Sequence, residues 1–223
     1  MPNIYVKNAG VFSPSKQIFV KDAGVWKTVK AVWVNNNGVW QKSFPESTGA
    51  LNYTSPGTYY WTVPNGIYNI STQIVGGGGG GGGTFYNGQI VVSGGGGGSG
   101  GKIDTNISVT PGQVLTIVVG GGGAGSGYNS QALGGSGGNS AIDGNVATGG
   151  GGGQSYIFGG DSSPPGGAGG SPNGVAGGDG AFPSATGGVG GNNGSGYGTG
   201  GSGGNDFTAP GNPGAAGRVY FAW

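Results

Sequence analysis

The 223-residue chain contains 63 glycines, has only 7% charged residues and carries a formal net charge of +1. It has neither cysteine nor histidine, which removes disulfide frameworks, thiolate or imidazole metal sites and imidazole-based catalysis. With so little net charge, nucleic-acid binding driven by counterion release is not expected, and no apolar run reaches membrane-spanning length.

Charge and glycine are spread unevenly. Residues 1–42 carry six lysines (Lys7, Lys16, Lys21, Lys27, Lys30 and Lys42) against Asp22 alone, whereas the remainder is net acidic; all but six of the glycines lie beyond residue 75. This asymmetry predicts two modules, residues 1–45 and 46–223.

The first module reads as three 14-residue units, Ile4–Gln17, Ile18–Ala31 and Val32–Pro45. In each, an extended aromatic and β-branched stretch runs into Asn-Ala-Gly, Asp-Ala-Gly or Asn-Asn-Gly, followed by Val and an aromatic (Phe12, Trp26, Trp40). Gly10, Gly24 and Gly38 supply the positive φ of a short hairpin loop, so each unit predicts one β-hairpin. A single hairpin cannot bury its own face, so this module is expected to stack on itself or on other chains. Phe12, Lys21, Trp26 and Trp40 are its candidate attachment residues. Residues 1–10 lack the charged start and apolar stretch of a secretory signal, so delivery by assembly rather than by export is expected.

The second module opens with strands. A strand is expected near Tyr53, then Thr58–Val63 and Ile67–Val75, separated by Ser-Pro-Gly and Pro-Asn-Gly turns. Further strands are expected at Gln89–Ser93, Ile103–Val109 and Val114–Val119, and a last one at Arg218–Trp223. The pattern predicts an all-β protein: an antiparallel β-sandwich that brackets the glycine-rich part. No segment shows sustained helical periodicity.

Glycine dominates the rest, with 39 glycines from Gly121 to Arg218. A flexible linker fits that composition. So does an inserted array of polyglycine II helices, threefold rods whose bare backbones bond to their neighbours. The glycines fall in about nine tracts, among them 76–83, 94–101, 120–127, 134–138, 149–153, 166–170 and 194–204. Their rod-and-turn spacing and the apolar strand that closes the region favour the array. No Gly-X-Y period supports collagen.

Three pieces carry a resemblance: TVPNGIYNISTQIVGGGGGGGG (62–83), ISVTPGQVLTIVVGGGG (107–123) and GAAGRVYFAW (214–223). Together they resemble the glycine-rich domain of tailed-bacteriophage tail fibres and adhesins, over roughly residues 50–223. The resemblance implies a virion protein in which a polyglycine II bundle presents loops to a receptor on the bacterial surface, a protein or a polysaccharide. It also implies contact of residues 1–45 with other virion proteins and, by analogy, a homotrimer. Unlike long fibre proteins, this chain has no coiled-coil or collagen-like shaft.

The acids Asp143, Asp161, Asp179 and Asp206 stand one to a loop, as solvent-facing turn residues do. No catalytic site, metal, cofactor, nucleic-acid partner or membrane insertion is therefore expected. The receptor-binding candidates are large or polar side chains between tracts: Phe85, Tyr86, Asn87, Tyr128, Asn129, Gln131, Tyr156, Phe158, Phe182, Tyr197 and Phe207. Such groups on bland loops act as low-entropy anchors. The expected function is a non-enzymatic adhesin. The alternatives are a structural tail, collar or capsid accessory protein and, with least support, an ice-binding protein.

Overall fold

The structure, a computed structural model, describes residues 5–8, 11–14, 19–29, 32–36, 38–44, 48–155, 163–182, 187–193, 195–206 and 208–223. Its regular elements are all β, and every paired strand is antiparallel.

Six short strands make three two-stranded ladders: β1 (Tyr5–Asn8) with β2 (Val11–Pro14), β3 (Phe19–Asp22) with β4 (Val25–Thr28), and β5 (Val32–Asn36) with β6 (Val39–Phe44). Gly24 and Gly38 have φ of 84° and 86°, the left-handed conformation their turns demand. Asn35 Oδ1 accepts from Gly38 N–H at 2.9 Å, closing the last turn.

Two four-stranded sheets share one core. The first runs β12 (Lys102–Ser108), β9 (Asn69–Val75), β16 (Arg218–Ala222), β7 (Ala50–Tyr53). The second runs β15 (Asn145–Ala147), β14 (Ser140–Ile142), β13 (Val114–Val119), β8 (Gly57–Thr62). Alternate residues turn inward, so Ile70 and Ile74 of β9, Leu115, Ile117 and Val119 of β13, Ile142 of β14, and Val219 and Phe221 of β16 are buried together. Trp61 packs at 4.8 Å from Phe221 and 4.9 Å from Trp223 by ring centroids. β14 and β15 were not expected from the sequence. They form a hairpin closed by Asp143 and Gly144, with φ of 48° and 78°, the two left-handed residues of the tightest hairpin turn. A further small ladder joins β10 (Phe85–Tyr86) to β11 (Val91–Val92).

Between β9 and β16 the glycine-rich tracts run as extended backbone linked to one another by backbone hydrogen bonds. Every amide from Gly76 to Gly83 donates. Gly76, Gly79 and Gly82 reach 101, 98 and 95; Gly77 and Gly80 reach 138 and 135; Gly78 and Gly81 reach 215 and 212; Gly83 reaches Ser155 Oγ. Its carbonyls accept in the same rhythm: Gly77 and Gly80 from 150 and 153, Gly78 and Gly81 from 123 and 126, Gly79 and Gly82 from 201 and 204. Each neighbour is therefore met again every third residue, and tract 76–83 is enclosed by six others. Tract 94–101 is enclosed in the same way. It donates to 148–154, 175–178 and 198–201, and accepts from 76–82, 167–170 and 188–191.

Ten tracts emerge among the described residues: these two inner ones and, in chain order around them, 120–127, 134–138, 148–155, 163–170, 172–181, 187–193, 198–204 and 209–217. Successive tracts bond antiparallel, as in the pairs 134 with 153, 151 with 168, 177 with 167, 203 with 188 and 212 with 202. The inner positions require glycine for space. A Cβ on Gly79 would be driven into the Gly151 carbonyl, and one on Gly98 into that of Ala168. In the outer tracts the side chains point outward once every three residues, as at exposed Pro165, Ala168 and Ser171 or Leu133, Ser136 and Asn139.

Candidate functional site

Strict alternation of direction gives the bundle two unlike ends. One is occupied by the sheets, because β9 enters tract 76–83 there, tract 94–101 leaves into β12, β13 enters tract 120–127, and tract 209–217 leaves into β16. The other end gathers the turns at 84–93, 128–133, 181–182 and 205–206. Seven of the eleven receptor-binding candidates lie at this second end: Phe85, Tyr86, Asn87, Tyr128, Asn129, Gln131 and Phe182. Tyr156, Phe158 and Phe207 lie outside the described residues, as does Asp161.

These loops are tied to one another. Asn129 adopts a φ of 51° and bridges two segments: its N–H donates to Thr84 O at 2.9 Å, and its Oδ1 accepts from Tyr86 N–H at 2.8 Å. Asn87 Oδ1 accepts from the amides of Gln89 and Ile90 at 3.1 and 2.8 Å, so the tip of the β10–β11 hairpin is fixed by its own side chain. Ser93 Oγ accepts from Ala181 N–H at 2.8 Å, which places Phe182 beside the foot of that hairpin.

A buried relay anchors the end from beneath. Gly83 N–H donates to Ser155 Oγ at 2.9 Å, Ser155 Oγ–H to Ser126 Oγ at 3.0 Å, and Ser126 Oγ–H to Ala132 O at 2.8 Å. Serine serves here because its small side chain fits where a backbone would otherwise lie, and it both donates and accepts.

The rings of Phe85, Tyr86, Tyr128 and Phe182 are half-buried, whereas Asn87, Asn129 and Gln131 are exposed. Among the described residues of these loops the only charged side chain is Asp206. The surface is therefore aromatic and amide-rich, without a basic group. Ile90 and Leu133, exposed at this end, belong to it and were not singled out from the sequence. Leu133 carried a signal, as the one large aliphatic residue between Tyr128 and tract 134–138, whereas Ile90 was absorbed into the strand expected at Gln89–Ser93.

Tyr197 is elsewhere. It sits in the turn between tracts 187–193 and 198–204, at the end occupied by the sheets, half-buried with its ring 5.0 Å from the Arg218 guanidinium. Its amide donates to Ser195 Oγ at 3.2 Å, and its carbonyl accepts from Ser195 Oγ–H at 2.9 Å. The sequence reading spanned 194–204 as one tract. The chain in fact reverses at 195–198, where Gly196 and Gly198 take φ of 74° and 61°.

Of the attachment candidates, Lys21 stands opposite Trp26 in the β3–β4 ladder, its Nζ 5.8 Å from the indole centroid. Trp26 and Trp40 are 66% and 64% exposed. Phe12 lies in β2 opposite Lys7. No group of three or more acidic side chains that could hold a metal occurs among the described residues.

Fold and site together define an all-β protein organised around glycine-rich backbone. The model of the glycine-rich domain family matches residues 54–222, and the chain belongs to that family. No curated protein matches it.

Proposed function

We propose that the ten tracts are polyglycine II helices forming a rigid scaffold, and that the protein is a bacteriophage tail-fibre or tail-tip adhesin whose loop end binds a receptor on the bacterial surface. The observation that supports this reading is the gathering of the 84–93, 128–133 and 181–182 loops at one end, fixed to a continuously bonded backbone lattice. Loops held in place before binding lose little conformational entropy on binding, which favours affinity. The half-buried aromatic rings supply the apolar contact area and the exposed amides the directional bonds. Residues 1–45, with Trp26 and Trp40 outward, are the virion-attachment module in this reading. The protein acts without catalysis.

Particles carrying Tyr86→Ala, Tyr128→Ala and Phe182→Ala together should lose adsorption to host cells by about tenfold or more. Tyr197→Ala particles should adsorb normally. Unchanged adsorption of the triple variant would overturn the adhesin role and leave a structural tail, collar or capsid accessory protein.

A further inference from the structure

The outer face of the β12-β9-β16-β7 sheet carries a second arrangement that the loop end does not use. Register aligns Asp104 of β12, Gln73 of β9, Tyr220 of β16 and Asn52 of β7 in one cross-strand row. The next row holds Asn106, Ser71, Ala222 and Ala50. Only small side chains therefore follow Tyr220 along its strand and flank it there. A groove of about 410 Å³ results, lined by Ser71, Gln73, Asp104, Asn106 and Tyr220 among others, within the size range of small-ligand clefts.

Its polar groups are held in position. Gln73 Nε2–H donates to Asp104 Oδ1 at 2.8 Å. Arg218 donates from Nη1 to Gln73 Oε1 at 3.3 Å and from Nε to Asn52 Oδ1 at 2.8 Å. Its guanidinium lies 5.0 Å from both the Tyr197 and the Tyr220 ring centroids, covering one side of Tyr220. Lys102 Nζ is 3.3 Å from Asp104 Oδ2.

Lys102 pairs with Asp104 and Arg218 donates to two amides, and the one charged side chain among those lining the groove is the Asp104 carboxylate, which disfavours anionic ligands. What is on offer is hydrogen-bonding capacity: the spare carboxylate lone pairs, the second Gln73 N–H, the Asn106 amide and the Ser71 hydroxyl. Beside them stands the open side of one aromatic ring. Vicinal hydroxyls over an aliphatic C–H face are the ligand chemistry that matches this combination. We infer that the groove is a binding site for a neutral oligosaccharide, with Tyr220 as the stacking platform and Asp104, Gln73 and Asn106 as hydroxyl partners. This site is independent of the loop end.

The test is a glycan array of neutral and uronic-acid-containing bacterial oligosaccharides probed with the full chain. Wild type should bind neutral glycans. Asp104→Ala and Tyr220→Ala should each weaken binding about tenfold, while Tyr220→Phe and the triple loop variant should bind as wild type. Asp104→Ala is a surface change, so its result stands even if Tyr220→Ala disturbs the sheet. No neutral-glycan binding, binding confined to acidic glycans, or binding unchanged in Asp104→Ala would each overturn the inference. Loss in the loop variant with retention in Asp104→Ala would assign glycan binding to the loop end instead.

Discussion

The paired sheets and the glycine tracts join end to end, yet they cohere for different reasons. In the sheets, side chains such as Ile74, Ile117 and Phe221 leave water entirely, and each burial contributes about 1.5–3 kcal/mol. In the inner tracts there is no side chain to bury except that of Ser99, whose Oγ accepts from Val175 N–H at 2.8 Å. Cohesion there comes from peptide bonding at about 0.5–1.5 kcal/mol net per hydrogen bond, set against a backbone ordering cost of about 1–2 kcal/mol per residue that is highest for glycine. A tract therefore sits near balance by itself. Its stability depends on the bonding being complete and on the sheets that hold both ends of the region, since β9 leads into it and β16 leads out of it.

If that contrast is right, the tracts should tolerate intrusion far less than the core tolerates loss. Gly98→Ala forces a methyl into the Ala168 carbonyl, and with backbone on every side nothing can move aside cheaply. Denaturant unfolding should show a loss of about 4 kcal/mol or more, at the diagnostic end of single substitutions. Ile117→Ala removes a fully buried side chain between the sheets and should cost about 2–5 kcal/mol. A bundle signal that survived this loss would separate the two regions. Ser155→Ala leaves the Gly83 amide without its acceptor and should cost about 1–3 kcal/mol by the same assay. Val189→Ala, at a 72% exposed outward position of an outer tract, should stay within about 0.5 kcal/mol.

The smallest effect belongs to the sheet face. The Gln73 amide, against an opposing contribution from burial and with the aid of Lys102, holds the Asp104 carboxyl below its ordinary pKa. Its stabilisation is complete above the ordinary carboxylate range and is lost as pH falls through that range and the lower folded value. Asp104→Asn should accordingly flatten the acid limb of a stability–pH curve slightly: the variant is slightly less stable than wild type near neutrality, and the difference closes as pH falls through that range.

The sequence made the two sheets largely legible because alternating apolar residues in β9, β13 and β16 carry a period of two. It missed the β14–β15 hairpin, although Asp143-Gly144 is a strong turn signal, because three-residue strands set among glycines offer little alternation to read. The tracts were legible where glycine is unbroken, at 76–83, or interrupted by Ser99 alone, at 94–101, since enclosure on all sides leaves almost no room for a side chain. They were obscured at 172–181 and 209–217, where outward positions admit Val175, Ala176, Pro210 and Pro213. Most loop-end candidates could be found as large groups between tracts. Tyr197 could not be assigned to an end, because which end a turn occupies depends on counting every reversal, and the reversal at 195–198 is itself written in glycine.

Amide hydrogen exchange, read by mass spectrometry across 76–83 and 94–101, addresses the central claim most directly. Protection of these amides at the same opening free energy as the Ile117 amide of β13 is the expected result, because lattice and sheets should open together. Exchange at the rate of an unstructured glycine peptide, with β13 still protected, would contradict it.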